Sequence, residues 1–445
     1  MQRSAWITGL AVLLVAVAAP PASAAPGSGR SSFEPGYGPV SPPRPPVSAR
    51  VAGTKTLPLL AHVNPGTGTN ADVYGYKDHA YLASWIGKGC LSKGVRVYDL
   101  GDPRKPTLDS VFADAASDPA VAGTWTEKVV VQHLNNRNFA GDLAVVTFQA
   151  CDRNNPTTFR GFGLYDVTDP AKPHKLALYA TPKTRGSHEV WLGTYRGKAY
   201  VYTAILRSEL ISSPDYDPGT NSAKTPGQAD FRIIDVSDPD QPVQVGEWGA
   251  WKELGIYPRA EGKENFVHSV RVDSRLQRAY LSYWDLGTVF LDISNPSRPV
   301  YLGRTTPPQG ATHSSYIDRG GRLLVETHET DAGLPYFYDI ADPVHPVLLS
   351  RFAPPGYEAD SVHDPKVLGD RAYFSWYGLG VVTADIFNLG APQLEAQFLP
   401  STDYVNPDFF CTEPCPEVWG VFVDKRYVLA SDMNSGLYVL GINPR

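Results

Sequence analysis

Residues 161–173 read GFGLYDVTDPAKP, and the phrase returns as GVRVYDLGDPRKP from Gly94, DFRIIDVSDPDQP from Asp230, TVFLDISNPSRP from Thr288 and PYFYDIADPVHP from Pro335. Two looser copies, GVVTADIFNLGAP from Gly380 and GLYVLGINP from Gly436, bring the number to seven. The run before each Asp has the period of a strand with one buried face. The Asp, the Ser or Thr and the second Asp or Asn then offer oxygens to the backbone of a turn, and Pro fixes its dihedral. One short strand follows the second Pro, as at 300–303, and two precede the phrase, as at 267–272 and 278–283. Four antiparallel strands per unit is the content of a propeller blade.

The anchoring acid stands at Asp99, Asp166, Asp235, Asp292, Asp339 and Asp385, with Gly441 in its place in the last copy. The spacings, roughly 46 to 69 residues, meet or exceed those of known propeller repeats, so the excess belongs in loops. The seventh copy lacks a fourth strand, whereas residues 55–62, KTLPLLAH, read as a fourth strand without a blade. The expected fold is therefore all-β, a seven-bladed β-propeller closed by an N-terminal strand in the last blade, which leaves no long exposed edge.

These phrases resemble the LVIVD repeat, a propeller family, over about residues 55–444. The resemblance implies the fold and says little about activity.

Residues 1–25 carry Arg3, an apolar run from Leu10 to Ala19, and Ala22-Ser23-Ala24, the pattern of a cleaved secretory signal. Residues 26–50 are rich in Pro, Gly and Ser and read as a linker, leaving 51–445 for the propeller. The expected location is secreted or extracellular, with no membrane span. A formal charge of -6, without a basic cluster, argues against nucleic acid as a partner. In an exported chain the four cysteines are expected to pair. Cys411 and Cys415 close a local loop, and Cys90 and Cys151 occupy equivalent loops of neighbouring blades. The rival arrangement, a four-thiolate zinc site, lacks any CxxC spacing.

With blade strands ordered a to d outward from the axis, the long segments 150–158, 207–229, 249–265 and 399–417 all emerge on one face. Functional loops tend to cluster where a rigid scaffold presents them. At the start of strand a on that face stand His188, His268, His313 and His363, with Asp72, Glu127 and Glu417 at or near the position in other blades. One reading has these histidines bridging adjacent blades by hydrogen bonds. The other has them hold a divalent ion such as zinc or copper. Ends of strand b add Trp85, Trp284, Asp285, Glu326, His328, Glu329 and Trp376 as candidate walls of a small-molecule site; within the mouth, Glu127, Trp284, Asp285, His328 and Trp376 are the candidate ligand-binding residues.

No nucleophile elbow, P-loop or dinucleotide fingerprint occurs. The first expectation is a monomeric binding module whose long-loop face takes a small molecule, glycan or protein. The alternative is a metal-dependent hydrolase or oxidoreductase using the histidines, similar in arrangement to copper-dependent methanethiol oxidase and selenium-binding propellers.

Overall fold

The repeated phrase folds the same way in six of its seven copies. The Asp ending each third strand accepts a hydrogen bond from the backbone N–H two residues on: Gly101, Thr168, Ser237, Ser294, Ala341 and Phe387 all donate at 2.7–2.9 Å. Three residues further along, Asp102, Asp169, Asp238, Asn295, Asp342 and Asn388 repeat the device. Removing one such side chain, as in Asp292→Ala, is expected to cost about 1 kcal/mol. Thermal melting should therefore drop by a few degrees with the ring intact.

The computed structural model describes residues 50–260, 262–329, 332–357, 361–400, 404–411 and 415–444. The expected signal, 1–25, and all of the expected linker except Arg50 lie outside the described residues. Seven four-stranded antiparallel units follow one another. Blade one comprises Val73–Tyr76, His79–Leu82, Val95–Asp99 and Thr107–Phe112; blade two Val129–Asn135, Ala140–Ala150, Gly161–Asp166 and His174–Ala180. Blade three comprises Glu189–Tyr195, Lys198–Ala204, Phe231–Asp235 and Val243–Trp248; blade four Val267–Asp273, Arg278–Tyr283, Gly287–Asp292 and Val300–Arg304. Blade five comprises Thr312–Asp318, Leu323–His328, Tyr336–Asp339 and Val347–Arg351; blade six Pro365–Leu368, Arg371–Ser375, Val381–Asp385 and Gln393–Phe398. Blade seven takes Val418–Val423, Val428–Asp432 and Gly436–Leu440, and its outermost strand is Leu59–Val63 from the other end of the chain. Successive innermost strands touch around the axis, and the last touches the first.

The closing segment divides at Pro58. Lys55–Thr56 pairs in parallel with the outer strand of blade six, and only Leu59–Val63 enters blade seven. Between them Leu57 is fully buried in the core shared by the two blades. Where Gly441 replaces the turn acid, its N–H donates instead to Pro58 O at 2.8 Å.

Both cystine pairs expected from the sequence are present, Cys90 to Cys151 and Cys411 to Cys415. Long segments carry the short helices Ser208–Ile211 and Ala250–Leu254. No helix among the described residues is long and apolar enough to cross a membrane.

Candidate functional site

Each blade presents one residue to the mouth of the axial channel at the start of its inner strand. In blades four, five and seven the pairing of the first two strands skips a residue there, which singles out His268, His313 and Trp419. Matching backbone hydrogen bonds assign the place to His188, His363 and Ala71 in blades three, six and one, and to Glu127 in blade two. The ring position therefore reads Ala71, Glu127, His188, His268, His313, His363, Trp419. Asp72 lies one residue further along its strand, and Glu417 stands two residues before Trp419.

The four imidazoles form an arc. Ring centroids are 4.3 Å apart for His188 and His268, 4.2 Å for His268 and His313, and 4.1 Å for His313 and His363. Trp419 continues it at 4.1 Å from His363, and Trp125 flanks the other end at 6.3 Å from His188. All four histidines are 1–3% exposed. Burial holds each below the usual imidazole range, and neighbouring histidines and the Lys128 ammonium add to the effect for His188 and His313. Burial, with Lys128 also opposing charge, takes His268 and His363 down to about 3, even though the His313 carbonyl and Asp364 pull the other way. The arc is neutral.

Its hydrogen bonds are specific. His188 Nδ1 meets Gln149 Oε1 at 2.7 Å, His268 Nδ1 meets the His313 carbonyl at 3.2 Å, and the two Nε2 atoms lie 2.9 Å apart. His313 Nδ1 meets Ser314 Oγ at 2.8 Å, and its Nε2 is 3.6 Å from Glu329 Oε2. Neither nitrogen of His363 makes a hydrogen bond of ordinary geometry, the Trp419 backbone giving only a weak polar contact. The ligand atoms of His268, His313 and Glu329 lie within 4.8 Å of one another. Burial raises the Glu329 carboxyl to about 7 despite a hydrogen bond donated by the Tyr377 hydroxyl. Tyr377 itself sits at φ 38°, a left-handed conformation costly for a non-glycine residue. Reciprocal backbone hydrogen bonds with Val418 of the next blade, at 3.2 and 3.1 Å, hold it there.

One or more residues further along the inner strands lies a buried ion-pair network. Lys128 Nζ lies 2.8 Å from Asp72 and 3.1 Å from Glu189, and Arg271 reaches Glu189 and Asp364 at 3.5 Å each. Lys366 also pairs with Asp364. Burial opposes the charge on Lys128, but the carboxylates of Asp72, Glu189 and Asp364 outweigh it and keep the ammonium charged. Unpaired, such charges would cost several kcal/mol each; pairing offsets that penalty.

The remaining sequence candidates separate into two groups. Trp284 lies against the arc, 5.3 Å from the His268 ring, and stacks on Phe266. Asp285 accepts N–H groups of Glu264 and Ala311 at 2.7 and 3.1 Å, tying together the segments that lead to His268 and His313. Glu127 accepts the Trp419 indole N–H at 2.7 Å, and burial with Glu189 nearby pushes its carboxyl well up. His328 and Trp376 sit apart from the arc. His328 is bound by Glu326 at 3.0 Å and the Gly310 carbonyl at 2.8 Å, and Trp376 packs between Phe352 and Phe374. Sequence reasoning did not single out Trp419, Gln149 or Tyr377. The VWGVFV strand spacing around residue 419 was the available signal.

Comparison with known proteins bears on the fold. The family described as LVIVD repeat matches residues 227–248 and 279–306, the outer half of blade three and most of blade four. No curated protein matches the sequence. Among solved structures, Raptor from Chaetomium thermophilum superposes with a TM-score of 0.57 at 12% identity, covering 88% of this chain but 30% of that one. The computationally designed Ika8 protein matches at 9% identity and a TM-score of 0.49, covering 86% of this chain and 100% of its own. The chain is a seven-bladed β-propeller that carries LVIVD repeats.

Proposed function

We propose that the protein is an exported, monomeric binding module whose long-loop face holds a zinc or copper ion at the channel mouth. His268, His313 and Glu329 would be its core ligands and His188 the fourth. The carrying observation is the tautomer forced on His268. Its Nδ1 faces a backbone carbonyl and so bears the hydrogen, which leaves Nε2 as a bare lone pair. With the Gln149 amide oxygen turned toward Nδ1, His188 takes the same tautomer, and two lone pairs then meet at 2.9 Å; with the amide turned over, His188 Nε2 would instead donate to His268. The lone-pair contact is repulsive unless a cation lies against both, and burial disfavours a proton there.

An oxygen acceptor on Nδ1 is the usual way to orient a histidine that ligates through Nε2. Imidazole with carboxylate suits zinc or copper. Glu329 would surrender its proton on binding, with Tyr377 steadying the carboxylate. Burial of all four imidazoles favours a held ion over the open coordination position that metal catalysis needs. A small molecule, glycan or protein would then be taken by the surrounding loops.

Elemental analysis of protein purified from an exporting host tests this. Near-stoichiometric metal, lost in the His268→Ala/His313→Ala variant, is the expected result. Metal-free protein that also fails to take up zinc or copper, with nitrogen NMR showing a hydrogen on His188 Nε2 donated to His268, would end the reading.

A further inference from the structure

The other arc of the mouth, outside the proposed ligand set, collects polar atoms that nothing in the fold satisfies. Glu127 Oε2, Trp125 Nε1 and Gln149 Nε2, all on blade two, are buried without a hydrogen-bond partner, and the ring nitrogens of His363 on blade six have none of ordinary geometry beyond the polar contact with the Trp419 backbone. An orphaned buried polar group is costly, and native structures contain few. Here they belong to one neighbourhood. His363 and Glu127 both touch the Trp419 indole, by ring contact at 4.1 Å and by hydrogen bond at 2.7 Å. Gln149 and Trp125 both adjoin His188. Between blades two and seven the ring position is Ala71, the smallest side chain of the seven.

We infer that this arc is a subsite for a small uncharged molecule with an oxygen function, an alcohol or a carbonyl compound. The indole N–H of Trp125, the amide N–H of Gln149 and the N–H of His363 would donate to a carbonyl oxygen. For an alcohol, His363 would instead present its bare nitrogen and accept the hydroxyl hydrogen. The apolar remainder would lie on the aromatic wall of Trp85, Trp419 and Phe409, whose rings are 5.9 to 6.5 Å apart about Trp85. Three donors fit an oxygen acceptor better than an ammonium group. The charge-balanced network below supplies no net cation to hold an anion.

The subsite shares the channel mouth with the metal reading but does not depend on an ion, so the two are separable. Chelator-treated full-length protein is titrated with a series of short primary alcohols and the matching aldehydes, followed by tryptophan fluorescence and thermal shift. Saturable binding that strengthens along the series to an optimum length is expected. His363→Phe should weaken it by an order of magnitude, and Glu127→Gln, which keeps the bond to Trp419, should weaken it less. His363→Leu, assessed by circular dichroism, separates misfolding from lost contact. Absence of saturation in folded wild-type protein, or a crystal structure with ordered water alone on His363 and Glu127 after soaking, would overturn the inference.

Discussion

Deleting residues 51–63 from the full chain is expected to abolish cooperative unfolding and leave an aggregating, partly β-structured protein. The segment supplies the outer strand of blade seven and an added parallel strand on blade six. Val51 and Leu57 are both almost wholly buried. Losing two such side chains removes about 3–6 kcal/mol of apolar burial. The strand hydrogen bonds and the cover over the edge at Leu437 to Leu440 go with them. Domains are stable by only about 5–15 kcal/mol, so the combined loss approaches the whole. Far-UV circular dichroism with thermal melting measures the effect. A peptide of residues 50–64 added in trans should restore part of the transition, and an unchanged melting curve in the deletion would contradict ring closure by this strand.

Acidification is expected to draw a large destabilising contribution from the histidine arc. His268 and His363 are held at about 3 in the folded protein, against about 6.5 unfolded. A lowered folded value means that the unfolded chain takes up protons first. The stabilisation is complete above about pH 6.5 and is lost as pH falls toward 3. Each such imidazole costs on the order of 1 kcal/mol per pH unit. The two together reach on the order of 5 to 10 kcal/mol over the window, and His188 and His313 act in the same direction. Glu329 and Glu209, raised to about 7, and Glu417, raised to about 8, work the other way, adding stability as pH falls from about 8 to 4.5, and the buried Glu127 and Asp230 carboxyls, held well up, act with them. The slope of the whole protein is a balance, and the imidazole part is read by difference. Urea unfolding of wild type and His363→Phe at a series of pH values should show the wild type losing stability relative to the variant as pH falls below ~6.5. A difference between the two that stays constant between about pH 6.5 and 4.5 would refute the burial of a neutral imidazole at 363.

Much of this was legible in the residues. The phrase around each turn acid specifies a local structure by hydrogen bonds within five residues, so the six turns and the blade count follow from reading it. Strand equivalence likewise told that four histidines share one position. What adjacent histidines do to each other was not legible, because it depends on one skipped residue in strand pairing and on which oxygen meets each Nδ1. His328 and Trp376 occupy the right ends of their strands, yet side chains there turn into the blade interface. Their chemistry is consumed by Glu326 in one case and by phenylalanine packing in the other. Pro58 was visible, but its effect, dividing the closing segment between two blades, arises only from the geometry of ring closure.

The ion-paired tier beneath the histidines gives the molecule a direction. Lys128, Arg271 and Lys366 interlock with Asp72, Glu189 and Asp364 across the axis, and pulling any one of them away would strand a charge in a low-dielectric interior. That tier ties the inner strands of blades one, two, three, four and six to one another on the axis, so a ligand held by the imidazoles as proposed would rest on a rigid floor.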